Sequence, residues 1–246
     1  MLHLAKNVAN RTLNPLGIEI RKAEKRDVFS IQKQLVKSPN PIIFDVGASV
    51  GGVSAKYRQL FPSATIHAFE PFPASLEVLR KRFLGDSAVT IADFAVYDAV
   101  GTIGLNINEN SATNSLLETD SRAVSNWGDV GLRFKSAVQV STTTLDAYCS
   151  SHSIEKIDLL KLDIQGAELK ALRGAYRLLN VQRVGAIYME MIFAATYVGQ
   201  PNFHEYLKYL ADLGYVMLDL FNPVRQGLRL IQADILFVPE SAPAGA

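Results

Sequence analysis

The chain has 246 residues, 48% of them apolar and 20% charged, with a net charge of +1, which suits one large globular domain around a single core. So even a balance supplies no global field that would favour nucleic acid, and no apolar run approaches the ~18–20 residues of a bilayer-spanning helix. Cys149 is the only cysteine, which excludes an internal disulfide and a thiolate zinc cluster and points to a reducing, cytoplasmic setting.

Charge is concentrated at the start. Residues 1–40 hold eight Lys/Arg against three acids, while the other 206 residues hold 17 basic and 21 acidic side chains. This basic leader reads as a solvated N-terminal helix. The alternative is peripheral contact with an anionic membrane, a phosphate-rich glycan or a partner protein. The first 30 residues lack the pattern of a signal peptide. The small-residue stretch 241–246 reads as a flexible tail, which leaves 41–240 as the globular domain.

From Pro41 onward strand-like and helix-like segments alternate, as in a parallel sheet with helices on both faces. The strand Ile42-Ile43-Phe44-Asp45-Val46 runs into Gly47-Ala48-Ser49-Val50-Gly51-Gly52, a turn whose glycines let a backbone approach a ligand that a Cβ would block. A helix over 53–61 stops at Pro62. A second strand over 65–69 stops on Glu70, 18 residues past Gly52, near the ~20-residue spacing of an acid that accepts hydrogen bonds from ribose hydroxyls. A helix starts near Pro73, and a third strand covers 89–93. The rhythm then breaks. The segment 95–108 reads as two antiparallel strands joined at Val100-Gly101-Thr102, and 110–136 reads as a long polar loop of the kind used as a lid or binding loop. A short strand over 138–140, a helix capped by Thr143 or Thr144, a strand over 157–164 and a helix over 167–179 follow. The chain closes with a strand over 184–191, a helix over 203–213 ended by Gly214, and a hairpin of 215–221 with 233–238. Together these predict an α/β Rossmann-like sheet of seven core strands with an antiparallel C-terminal pair and a β-rich insertion after the third strand.

Ligands of open parallel sheets bind beyond the carboxyl ends of the strands. Here every such end carries an acid: Asp45, Glu70, Asp93, the pair Asp163 and Glu168, and Glu190. Helix capping accounts for one or two of them. A whole row repels itself and fits a cationic ligand or a metal ion better. The glycine turn lacks the Lys-Ser or Lys-Thr of a P-loop, and Asp45 would repel a pyrophosphate. A ligand with a ribose and a cationic amino-acid tail is S-adenosylmethionine.

The chain resembles the FkbM family of S-adenosylmethionine-dependent methyltransferases over about residues 40–240. The segments that carry the resemblance are Phe44-Asp45-Val46-Gly47-Ala48, Ala68-Phe69-Glu70-Pro71, Asn114-Ser115-Leu116, Thr143-Thr144-Leu145-Asp146 and, most specific, Asp158-Leu159-Leu160-Lys161-Leu162-Asp163-Ile164-Gln165-Gly166-Ala167-Glu168. Ser49 stands where many methyltransferases have glycine. The resemblance implies that Asp45, Gly47, Ala48 and Gly51 line the methionine part of the donor. Glu70, beside Pro71, would hold the ribose, and Asp93, Phe94 and Ala95 would border the adenine. Asn114 and Ser115 would lie on the inserted loop over cofactor or acceptor, and Asp163 would face the sulfonium and the acceptor. It implies methylation of a hydroxyl on a sugar, glycan or secondary metabolite.

Deprotonating that hydroxyl requires a base, for which Asp163, Glu168 and Glu190 are candidates. The same acids suit Mg²⁺ as an alternative. His67 reads as a packed core residue and Lys161 as half of a structural ion pair. Trp127 and Phe134 read either as a cover for the site or as the loop's own core. Tyr188, Phe193 and Tyr197 read as core packing or as walls of the acceptor pocket. Two other functions remain open at this stage, a dinucleotide-dependent oxidoreductase and a non-catalytic S-adenosylmethionine-binding adaptor.

Overall fold

The computed structural model describes residues 27–128 and 130–242. Most of the basic leader and the last four residues of the tail lie outside the described residues. In chain order the elements are α1 (Val28–Leu35), β1 (Ile42–Val46), α2 (Gly52–Leu60), β2 (Thr65–Phe69), α3 (Pro73–Arg82), β3 (Val89–Ala92), β4 (Ala95–Val96) and β5 (Gly101–Asn108). Then come α4 (Ala123–Trp127), β6 (Phe134–Thr143), α5 (Leu145–Ser151), β7 (Leu159–Leu162), α6 (Glu168–Arg173), α7 (Tyr176–Asn180), β8 (Ile187–Ile192), α8 (Phe203–Asp212), β9 (Tyr215–Gln226) and β10 (Arg229–Pro239).

The main sheet has seven strands in the order β3-β2-β1-β7-β8-β10-β9. Pairing is parallel from β3 through β8 and antiparallel where β10 joins β8 and β9. The expected sheet with its antiparallel C-terminal pair is therefore present. Successive residues of a strand face opposite sides, so Ile43 and Leu159 enter a core with Tyr57, Leu79 and Val28 of α1–α3. Phe44, Leu160 and Leu162 enter a second core with Tyr148, Leu172 and Leu210 of α5–α8.

The insertion corrects one expectation. Residues 95–108 do not pair with each other. Instead β6, ten residues long, lies between β4, which it meets in parallel, and β5, which it meets antiparallel over eight register pairs. The alternation of Ile103, Leu105 and Ile107 identifies the strand but not its partner. A second correction concerns the helix over 167–179, which is two helices, α6 and α7. They break at Gly174, where a Cβ would lie 2.1 Å from the carbonyl oxygen of Tyr97. The C-terminal strands run longer than expected, to a turn at Gly227-Leu228.

Candidate active site

Strands β1, β2 and β7 end at one rim. There a cleft holds about 760 Å³ of empty space, counting its open mouth. Val46, Gly47 and Ser49 line it from β1, Glu70, Pro71 and Phe72 from β2, and Asp163, Ile164 and Gln165 from β7. Phe94 and Ala95 follow β3, and the insertion contributes Asn114, Ser115 and Leu116.

Glu70 is fixed before any ligand arrives. One carboxylate oxygen accepts the backbone N–H of Ser49 and the other that of Phe72, both at 2.8 Å. Burial raises its proton affinity, and those two amides oppose the rise. Each oxygen keeps a further lone pair for a ligand hydroxyl. Gly47 is required by the protein itself: it holds φ +77, and a Cβ there would sit 1.9 Å from the backbone oxygen of Asp163. Asn114 accepts the Asn108 N–H at 2.9 Å through Oδ1, while its buried Nδ2 has no partner among the described residues. An unsatisfied donor in a cleft wall is costly unless a ligand or water accepts from it. The Ser115 hydroxyl is committed, donating to the Gln165 carbonyl at 2.7 Å and accepting from Leu117 N–H.

Several expected cofactor contacts do not line this cleft. Asp45 is fully buried. Its carboxylate accepts from the Ser54 hydroxyl at 2.6 Å and pairs with Lys161 Nζ at 3.0 Å, because the β1–β7 register sets Asp45 opposite Lys161. Both contacts hold it inside the sheet. Lys161 is thus the structural ion pair expected of it. Ala48 is buried and its N–H donates to the Phe69 carbonyl. A Cβ on Gly51 would strike Leu79 and Phe83 at 2.7 Å, so Gly51 serves helix packing. Asp93 turns outward to Arg80 at 3.1 Å, with its side chain 57% exposed.

The three candidate bases separate. Glu168 is buried and turned back on its own loop, where it accepts from the N–H of Ile164 at 2.9 Å and of Gly166 at 3.0 Å. Burial pushes it up to about 7 against those backbone bonds. Asp163 lines the cleft. Glu190 lines a second cavity of about 610 Å³, counting its mouth, with Trp127, Leu132, Ile192, Tyr197 and Gln232. The two cavities share Ala112 and Gln165. Glu190 accepts from Gln165 Nε2 at 2.6 Å and from Gln232 Nε2. Burial, and after it the charges of Asp163, Glu168 and Asp234, hold its proton affinity well above the ordinary carboxylate range. Among the described residues no group of three or more His, Cys, Asp or Glu side chains is arranged to hold a metal ion.

Of the aromatic candidates, Trp127 and Tyr197 line the second cavity, and Trp127 Nε1 donates to Thr196 Oγ1 at 2.6 Å. Phe134 lies 60% exposed on β6. Phe193 packs on Phe203 with ring centroids 5.3 Å apart, and the Tyr188 hydroxyl donates to Asp234 at 2.7 Å. His67 is the packed residue expected: Nδ1 lies 2.9 Å from the Tyr148 hydroxyl, and burial foremost, then His152, pushes it down to about 4. Gln165 is the residue whose importance the sequence did not reveal. It lies within the most specific motif, but apart from Asp163 its partners, Ser115, Glu190 and Tyr197, come from distant parts of the chain.

The sequence matches the methyltransferase FkbM domain over residues 45–217. It is 29% identical over 210 residues to the 2-O-methyltransferase NoeI of Sinorhizobium fredii (strain NBRC 101917 / NGR234), a match spanning 82% of this chain and 81% of that protein. It is 26% identical over 155 residues to the 31-O-demethyl-FK506 methyltransferase FkbM of Streptomyces tacrolimicus, spanning 55% of this chain and 60% of that one. In backbone it resembles a Streptococcus mutans protein solved in complex with SAH, with a TM-score of 0.50 at 12% identity, over 88% of this chain and 99% of that chain.

Proposed function

This chain belongs to the methyltransferase FkbM family and is an S-adenosylmethionine-dependent methyltransferase; on that ground we propose that it methylates a hydroxyl of a sugar, glycan or other small metabolite, with the donor in the cleft at the ends of β1, β2 and β7 and the acceptor in the second cavity. The observation that carries this reading is the junction at Gln165, where a donor-side acid, Asp163, and an acceptor-side acid, Glu190, hang on one side chain. The dinucleotide oxidoreductase and the adaptor fall away with the family assignment.

The residues present fit the donor. Glu70 offers free lone pairs for ribose hydroxyls, Phe72 and Phe94 offer apolar walls, and Asn114 Nδ2 offers an unused donor. Asp163 places negative charge in the same cleft as a cationic ligand. When bound, S-adenosylmethionine supplies a methyl group already activated on sulfur. The chain's own task is alignment, which supplies much of the barrier reduction, together with removal of the hydroxyl proton. Glu190, the carboxylate that lines the second cavity, takes that proton. Glu168, turned into its loop, does not share this work. A Mg²⁺ site built from Asp163, Glu168 and Glu190 is disfavoured for the same reason.

Calorimetry with S-adenosylhomocysteine tests the donor half. Wild-type protein is expected to bind it and to ignore NAD. Glu70→Ala is expected to lose about 10–100-fold in affinity, the worth of hydrogen bonds to a charged group. Glu190→Gln is expected to keep that affinity and lose turnover. No heat from the wild type, or full affinity in Glu70→Ala, would sink the donor reading.

A further inference from the structure

Gln165 and Ala112 line both cavities, and of the two only Gln165 carries polar side-chain atoms. Its backbone holds φ +55, a left-handed conformation that costs free energy in a residue with a Cβ. Its carbonyl is pinned by the Ser115 hydroxyl. Its Nε2 donates to Asp163 Oδ1 at 3.1 Å and to Glu190 Oε2 at 2.6 Å, and its Oε1 accepts from the Tyr197 hydroxyl at 2.8 Å. The amide fits only this way round, since a flipped one would turn its oxygen on two carboxylates. Each N–H is therefore given to a different acid, one on each side of the junction.

We propose that Gln165 is a positioning residue for methyl transfer: its amide fixes the donor-side carboxylate of Asp163 against the acceptor-side carboxylate of Glu190 and so couples the two cavities. The proposal rests on the reading of the second cavity as the acceptor site. A neutral double donor suits the place. Glu190 already faces the carboxylates of Asp163, Glu168 and Asp234, with Lys161 as the opposing cation. A glutamate at position 165 would add a further negative charge and remove both donated bonds. An apolar side chain would leave two partly buried carboxylates each short of a donor. Either change is felt at Glu190, whereas the ribose-side contacts of Glu70 are made by Ser49 and Phe72 and lie outside this network.

The test follows Glu190 itself. Full-length protein labelled with [13C]glutamate is titrated by NMR with and without S-adenosylhomocysteine, and the Glu190 signal is identified by its absence in Glu190→Gln. In Gln165→Leu and Gln165→Glu the proton affinity of Glu190 is expected to rise about tenfold or more. The response of Glu190 to S-adenosylhomocysteine, present in the wild type, is expected to vanish. A purely structural glutamine would lower the melting temperature and leave both Glu190 readouts unchanged, and that result overturns the proposal. So does a wild-type Glu190 that ignores S-adenosylhomocysteine. If neither variant folds, Tyr197→Phe, which releases the amide oxygen and leaves Gln165 in place, is expected to weaken the response of Glu190 to S-adenosylhomocysteine, and an unchanged response overturns the proposal. Wild-type protein that fails to bind S-adenosylhomocysteine would refute the donor reading instead.

Discussion

A lysine survives inside this sheet because its ammonium is fully surrounded by partners. Lys161 Nζ lies 3.0 Å from Asp45 Oδ1 and donates to the backbone oxygens of Gly47 at 2.8 Å and Val46 at 3.3 Å. Burial alone would pull its proton affinity down, but Asp45 and Asp163 more than offset that, and the net direction is upward. Removing one member of such a pair strands the other charge in a low-dielectric core. Lys161→Met is therefore expected to cost about 3–5 kcal/mol, read as a fall in the urea midpoint. The double variant Asp45→Asn/Lys161→Met should recover part of it, because no lone charge remains. A single variant as stable as wild type would show that the pair is solvated. The same pair marks a limit of sequence reading. Asp45 and Lys161 are each conspicuous, but their contact depends on a strand register across more than a hundred residues, so neither residue alone announces the pair. The place of Glu70 on the cleft wall was legible because its position at a strand end is set by local spacing.

Strands and helices were mostly legible where one local cause decides them. β1 and β2 have the limits that their apolar runs and the following Gly47 and Glu70 suggest, and α3 begins at the proline that favours a first turn. What escaped was set by distant partners. β6 is ten residues long because β5 needs a ladder over its whole length, and nothing in the polar run before Val138 announces this. The break between α6 and α7 is similar. Arg173 and Gly174 look like the middle of a helix, yet the Tyr97 carbonyl packs against Gly174 and leaves no room for a side chain. Gly174→Ala would raise intrinsic helix propensity by about 1 kcal/mol and would stabilise a solvent-exposed helix. Here the contact at 2.1 Å forces either α7 or the loop before β5 to move, and overpacking of that kind costs about 1–3 kcal/mol or more. The expected result is a lower melting temperature, with donor binding weakened by less than the stability, because Tyr97 lies behind the cleft wall and outside it. A gain in stability would mean that the loop yields freely.

Buried acids around the candidate site also govern how the whole molecule responds to pH. Glu70, Glu190 and Asp234 are all raised from their ordinary values with burial as the leading cause, and burial likewise lifts Glu168 to about 7. A raised carboxylate binds its proton more tightly folded than unfolded. The unfolded chain releases that proton from about pH 4.5 upward, whereas the native protein holds it longer, so stability falls as pH rises through this window. For Glu168 alone, moving from the usual 4.5 to about 7 makes the loss between pH 5.5 and 8 about 2 kcal/mol. His67 acts in the opposite sense. Pushed down to about 4, it stays neutral in the fold while the unfolded imidazole protonates near 6.5, so its contribution improves as pH rises through that range. The wild-type slope is the sum of these effects, and Glu168→Gln isolates one of them. Glutamine keeps an acceptor for the Ile164 or Gly166 N–H and carries no charge to desolvate. Relative to wild type, the variant is therefore expected to gain about 2 kcal/mol between pH 5.5 and pH 8, measured by urea unfolding at both values. A difference between the two proteins that does not change with pH would mean that Glu168 titrates like an exposed acid, and that its loop opens to water more than the packed geometry around Tyr206 allows.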